Sequence, residues 1–140
     1  MSTGIEGIDR SLQLTKLRLE DLMTRLGTDD RHLACLALRT TLHALRDRLL
    51  VSDAAHLGAQ LPMLVRGLYY EGWHPAGKPL KERAKEAFLA HAKAEAHALD
   101  FEPEPAVRAV FGLLAERISA GEIADVKGVL PGPIRALWPQ

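Results

Sequence analysis

Residues Leu38–Trp73 read LRTTLHALRDRLLVSDAAHLGAQLPMLVRGLYYEGW, and this stretch decides the fold. Leu38, Leu42, Leu45 and Leu49 recur every three to four residues, the spacing that lines one face of an α-helix. Arg39, Arg46 and Arg48 with Asp47 are expected on the opposite, solvated side. Ser52 offers a cap for a short helix through about Ala59, and Pro62 suits the first position of another over Met63–Tyr70. From Glu71 to Pro79 two glycines and two prolines exclude regular helix, so the stretch ends in a loop.

Most of this stretch recurs further along. Sliding the chain on itself until Leu61-Pro62 lies on Leu130-Pro131 brings the two copies into register. Leu38, Leu42, Leu45 and Leu49 then lie on Val107, Phe111, Leu114 and Ile118. Arg66 falls on Arg135, and Tyr69 on Trp138. Self-similarity at a fixed period is the signature of a repeat architecture. Each copy carries apolar stripes that it cannot bury alone, so the two are expected to pack face to face.

Outside the stretch, Leu12, Leu19, Leu22, Met23 and Leu26 form one stripe on a helix expected from about Ile8 to Leu26. Gly27 ends it, and Asp29 or Asp30 caps its successor, which runs to about Leu49. A long helix is expected over about Leu80–Ala98, with Leu80, Ala84, Ala87, Phe88, His91 and Leu99 near one face. Asp100–Pro105 breaks the chain through its prolines. A core helix then spans about Ala106–Ile118, and Ser119-Ala-Gly-Glu122 is a capping-box match opening the next. Gly132 and Pro133 make the last helix short. Strand-like alternation is absent over any useful length.

The runs ALRTTLHALRDRL, AAHLGAQLPMLVRGLYYEGWHPAGKP and ERISAGEIADVKGVLP closely resemble a bacterial family catalogued as domain of unknown function 2267. The resemblance covers roughly Leu19 to Pro139. It implies an all-helical protein and brings with it no activity, cofactor or site residue.

Lys and Arg total 18, as do Asp and Glu, and the balance is local as well as global. Non-specific nucleic-acid binding and anionic membrane surfaces both need a cationic excess, so neither is expected as a partner. Near-zero net charge removes long-range repulsion and favours self-association or a partner protein. A single cysteine, Cys35, excludes an intrachain disulfide and fits a reducing compartment. MSTGIEGIDR lacks an apolar core of the targeting kind. The expected location is cytoplasmic.

Candidate binding residues are Arg66, Tyr70, Glu71, Trp73 and His74. In repeat register Tyr69 falls on Trp138, whereas Trp73 has no counterpart, which suggests a use particular to this loop. Trp and Tyr are favoured anchors for partners; the competing reading is that Tyr70 and Trp73 close the seam between halves. Asp53 with His56, and Glu71 with His74, show a carboxylate and an imidazole three residues apart. Paired motifs of this kind build di-metal sites on facing helices. Gly72 and Pro75 spoil the helical geometry of the second pair, and no inward pair of glutamates completes the set. His43 and Asp47 form an i,i+4 pair of the surface kind. His91 is expected on an apolar face with its hydrogen bonds satisfied, His97 in solvent, and Cys35 buried and inert. No catalytic constellation or cofactor motif is present.

These observations lead to an all-α domain of about eight helices in two tandem, pseudo-symmetric repeats. The first spans 8–74 and the second 75–140, after a disordered 1–7. The leading function is a non-catalytic protein-interaction module that uses the aromatic loop. The alternative is a small-molecule or metal (iron or zinc) binding protein that uses Asp53, His56, Glu71 and His74.

Overall fold

The computed structural model describes residues 2–97 and 101–140, and these form eight helices and no strand. α1 (Glu6–Leu26) ends at Gly27, whose φ of 69° gives the left-handed turn that glycine adopts without strain. α2 (Arg31–Arg46) is capped by Asp30, whose carboxylate accepts from the amides of His32 at 2.9 Å and Leu33 at 3.1 Å. α3 (Val51–Ala59) starts before Ser52, which lies inside its first turn instead of capping it. α4 (Met63–Tyr70) follows Pro62 as the spacing predicts.

α5 (Lys85–Ala96) begins later than expected from Leu80. The amide of Leu80 donates to the carbonyl of Asp47 at 2.8 Å, which commits that backbone to a tertiary bond instead of a helical turn. The expected helix end at Ala98, together with Leu99 and Asp100, lies outside the described residues. α6 (Pro103–Arg117) begins earlier than expected, because its prolines sit in the first turn, where amides have no helical acceptor. α7 (Ala120–Val129) is capped by Ser119, whose Oγ accepts from the Glu122 amide at 3.2 Å. The capping box is half made: the Ser119 amide donates to Gln60 Oε1 at 3.1 Å and not to Glu122. α8 (Gly132–Arg135) is a single turn.

α2 lies at the centre and packs against α1, α4, α5 and α6; α6 adds contacts to α1, α5 and α7. Helices before the Glu71–Pro79 loop therefore pack mainly on helices after it. The Leu38, Leu42, Leu45 and Leu49 stripe is buried, as are Val107, Phe111, Leu114 and Ile118 opposite it. Phe111 stacks on Trp138 with ring centroids 4.1 Å apart, and Phe88 adds a tilted contact at 5.9 Å. On α1, Leu22 is buried and Leu19, Met23 and Leu26 pack on the core, but Leu12 is 42% exposed, against expectation. The helix runs past the edge of the body it packs on.

Two leucine-proline corners share one pattern of hydrogen bonds. Arg66 donates to the carbonyls of Gly58 and Leu61, each at 2.9 Å. Arg135 donates to the carbonyls of Lys127 and Leu130, at 2.9 and 2.8 Å. In both cases the acceptors lie eight and five positions before the arginine. Each arginine ties a leucine-proline corner to the helix before it. The likeness stops at the outer end of α1, since the positions that match its first turns in this register precede α5 and are not helical.

Leu45 is wholly buried between α2 and its neighbours, so Leu45→Ala is expected to cost about 2–5 kcal/mol in chemical denaturation. A cost below about 1 kcal/mol would show the central face to be assigned wrongly.

Candidate functional site

The densest chemistry lies along one edge of α2 and the turn that follows it, where His43, Arg46, Asp47 and Arg48 are all buried. The sequence pattern placed Arg39, Arg46, Arg48 and Asp47 in solvent; the side chain of Arg39 is partly exposed, but for the other three that expectation fails. α5 and the end of α4 cover this edge. The reason lies in the backbone of α4. Its last carbonyls have no helical partner, and side chains of α2 supply one. Arg46 Nη1 donates to the carbonyls of Tyr69 at 2.6 Å and Glu71 at 2.8 Å. His43 Nε2 meets the Leu68 carbonyl at 2.6 Å. Cations are favoured at a helix C-terminus by the macrodipole as well.

Carboxylates balance these groups. Asp47 accepts from Arg46 Nε at 3.1 Å and faces His91 Nε2 at 3.5 Å. Glu95 on α5 reaches His43 Nδ1 at 2.8 Å. Both ring nitrogens of His43 thus have an oxygen within hydrogen-bond distance. Burial alone would raise the Glu95 carboxyl, but hydrogen bonds and charge from His43 and His91 outweigh it and bring it down to about 2. Arg48 lies over the Phe88 ring at 5.0 Å and contacts His91 Nδ1 at 3.2 Å. Burial lowers its pKa, opposed by Glu82 and Asp47. His91 is half-buried and hydrogen-bonded, as expected, but among the charged groups Asp47, Glu95 and Arg48 instead of on an apolar face. His43 and Asp47 are not the surface pair their spacing suggested, since each takes partners on other elements.

The predicted binding residues divide into two sets. Arg66 is tied to backbone carbonyls. Tyr70 is half-buried against Gly58, where an added Cβ would stand 2.8 Å from the ring and collide with its hydroxyl. Trp73 is half-buried, its ring 5.4 Å from that of Tyr70, and its buried Nε1 lacks a hydrogen-bond partner among the described residues. Tyr69 is fully buried and donates to the Ala54 carbonyl at 2.7 Å, with burial raising its pKa. Glu71 and His74 are exposed; Glu71 lies 3.6 Å from Arg39. A crevice of about 290 Å3 opens here, lined by Arg39, His43, Arg46, Glu71, Glu95 and His97.

The residues of the metal alternative are not brought together. Asp53 and His56 sit on α3 beside α7, where the Glu122 carboxyl is raised by burial, then by Asp125, with His56 opposing. No cluster of three or more His, Cys, Asp or Glu side chains has metal-holding geometry among the described residues. Cys35 is half-buried. No helix among the described residues is long and apolar enough to cross a membrane.

One signal in the sequence could have located the buried cluster. Arg39, His43 and Arg46 share a helical period of their own, directly beside the leucine stripe. A polar stripe flanking a packed one has a partner whenever a further element covers it.

The fold and this cluster define an all-α protein built on a central helix whose charged edge is internal. The chain belongs to the uncharacterized conserved protein family DUF2267, which matches residues 15–137. Comparison with curated proteins gives no match.

Because Glu95 is depressed in the fold, the stability it contributes is present above its ordinary value of 4.5 and is lost as pH falls toward about 2. The gap in melting temperature between wild type and Glu95→Gln is therefore expected to be open at pH 7 and to close across that acid range. A gap that stays constant would mean that Glu95 is not ion-paired in the folded protein.

Proposed function

We propose that the protein is a non-catalytic helical interaction module that pairs with a second copy of itself through the outer half of α1 and the start of α4. One observation carries this reading: a contiguous apolar strip stands in solvent there. Ile5 and Met63 are each 57% exposed, and Ile8, Leu12 and Leu64 lie between 42% and 45%. The amide of Leu64 donates to Ser11 Oγ at 3.1 Å, which sets the start of α4 against α1. Ile5, Ile8 and Leu12 continue the helical stripe whose later members, Leu19, Leu22 and Leu26, pack on the core. Apolar surface of this kind marks an interface.

Charge favours a second copy as the occupant. Glu6 and Asp9 lie in the first turn of α1, and Lys16 lies two turns on. In an antiparallel pair centred near Leu12, the acidic turn of each copy runs beside the lysine of the other. Such a two-fold contact is self-complementary, and zero formal charge adds no repulsion. The matching hydrogen bonds of Arg66 and Arg135 support reading the chain as a tandem duplication. On that reading the outer half of α1 is the part without a helical counterpart. The Arg66–His74 loop is carried less far as a docking surface, because Arg66, Tyr70 and Trp73 are engaged internally.

Sedimentation velocity tests this. Wild type is expected at twice the chain mass of 15.4 kDa, and the Ile8→Glu/Leu12→Glu variant, altered only at exposed positions, at the monomer mass. A monomeric wild type, or a variant that still dimerises, would refute the reading.

A further inference from the structure

We infer that a cavity of about 240 Å3 between α1, α2, α4 and α6 binds a small amphipathic carboxylate, with its chain on an aliphatic floor and its head between Arg18 and Arg117. The floor is made by Leu38, Leu61, Val65, Leu113, Leu114 and Ile118. An aliphatic cavity of about 150 Å3 already accepts benzene, so this one has room for a chain of roughly eight carbons. Apolar walls with a few convergent polar groups are the ordinary composition of a ligand site.

The mouth specifies the head group. Arg117 bonds to Asp21 at 3.2 Å. Asp21 is shared with Arg25 at 3.1 Å, and Arg25 also pairs with Glu116. Arg18 has no hydrogen-bond or ion-pair partner among the described residues, and it faces both Arg117 and Asp21. Three guanidinium groups thus meet two carboxylates, and a third carboxylate would even the count. Charge-assisted bonds from guanidinium to carboxylate are among the strong ones. Burial, then the neighbouring Arg117, lowers the Arg18 pKa, which is consistent with an unneutralised cation.

In the other half of the molecule the arginine at the matching position is covered by a ring. In the register that lays Leu61 on Leu130, Arg48 falls on Arg117, and Arg48 is buried over the ring of Phe88. The same register lays Leu19 on Phe88, and no aromatic ring covers Arg117 among the described residues. Binding here does not require self-association, so either can hold while the other fails.

The test uses sodium octanoate and 1-octanol as probes on the full chain, by calorimetric titration and methyl NMR. Octanoate is expected to saturate at one per chain with Kd below about 1 mM and to shift the methyls of Leu61, Val65, Leu113 and Leu114. Arg18→Gln should weaken it by about tenfold, while Arg10→Gln, an exposed control on the same helix, leaves it unchanged. The uncharged alcohol should bind about tenfold more weakly than the acid. Leu113→Phe, which fills the cavity, should abolish binding in a folded protein. Absence of saturation, shifts elsewhere, equal binding of acid and alcohol, or wild-type affinity in Arg18→Gln would each overturn the proposal.

Discussion

The guanidinium of Arg46 joins two parts of the chain at one point. It donates to its neighbour Asp47 and to two backbone carbonyls at the end of α4. A helix end covered by other elements must find partners for its free carbonyls or lose stability. α4 finds them in the side chains of α2. His43 extends the same arrangement to the Leu68 carbonyl on one side and to Glu95 of α5 on the other. The ends of α4 and α5 are thereby fixed to one edge of one helix.

This constraint explains the division of labour on α2. Its leucine face supplies apolar burial, which is roughly proportional to area and is not directional. Its charged edge supplies direction. An internal ion cluster is weak evidence for net stability, because desolvation offsets much of the attraction. Removing one member, however, leaves its partners charged and uncompensated. The cluster therefore sets where α5 and the aromatic loop sit more than it adds to total stability. Tyr70 then packs over Gly58 of α3 in the position that this arrangement defines, with the Trp73 ring against it.

The features governed by short-range rules were legible in the sequence. Asp30, Gly27 and Ser119 act at helix ends as their side chains or backbone dictate, and the leucine spacing located the central face. Features that depend on a distant element were not. Arg46 and Arg48 resemble surface residues until α5 is laid over them, and Leu80 leaves the expected helix because its amide bonds to Asp47. Pro103 and Pro105 read as a break but serve as a first turn. Arg66 was singled out beside the aromatics, and its role is to fasten the Leu61-Pro62 corner. The cavity under Arg18 has no local signature, since α1, α2, α4 and α6 contribute its walls from positions scattered along the chain. In the candidate loop, the aromatic residues were legible as a group. Which of them face inward was decided by α3.

The central claim is that the charged edge of α2 positions the end of α4 and α5 as one unit. Hydrogen–deuterium exchange on Arg46→Met, well below its melting temperature, tests it most directly. The substitution keeps volume and removes the donors. The account predicts faster exchange at residues 68–73 and in α5, with α6 and α7 protected as in wild type. Protection that is unchanged everywhere, or lost evenly across all helices, would contradict it.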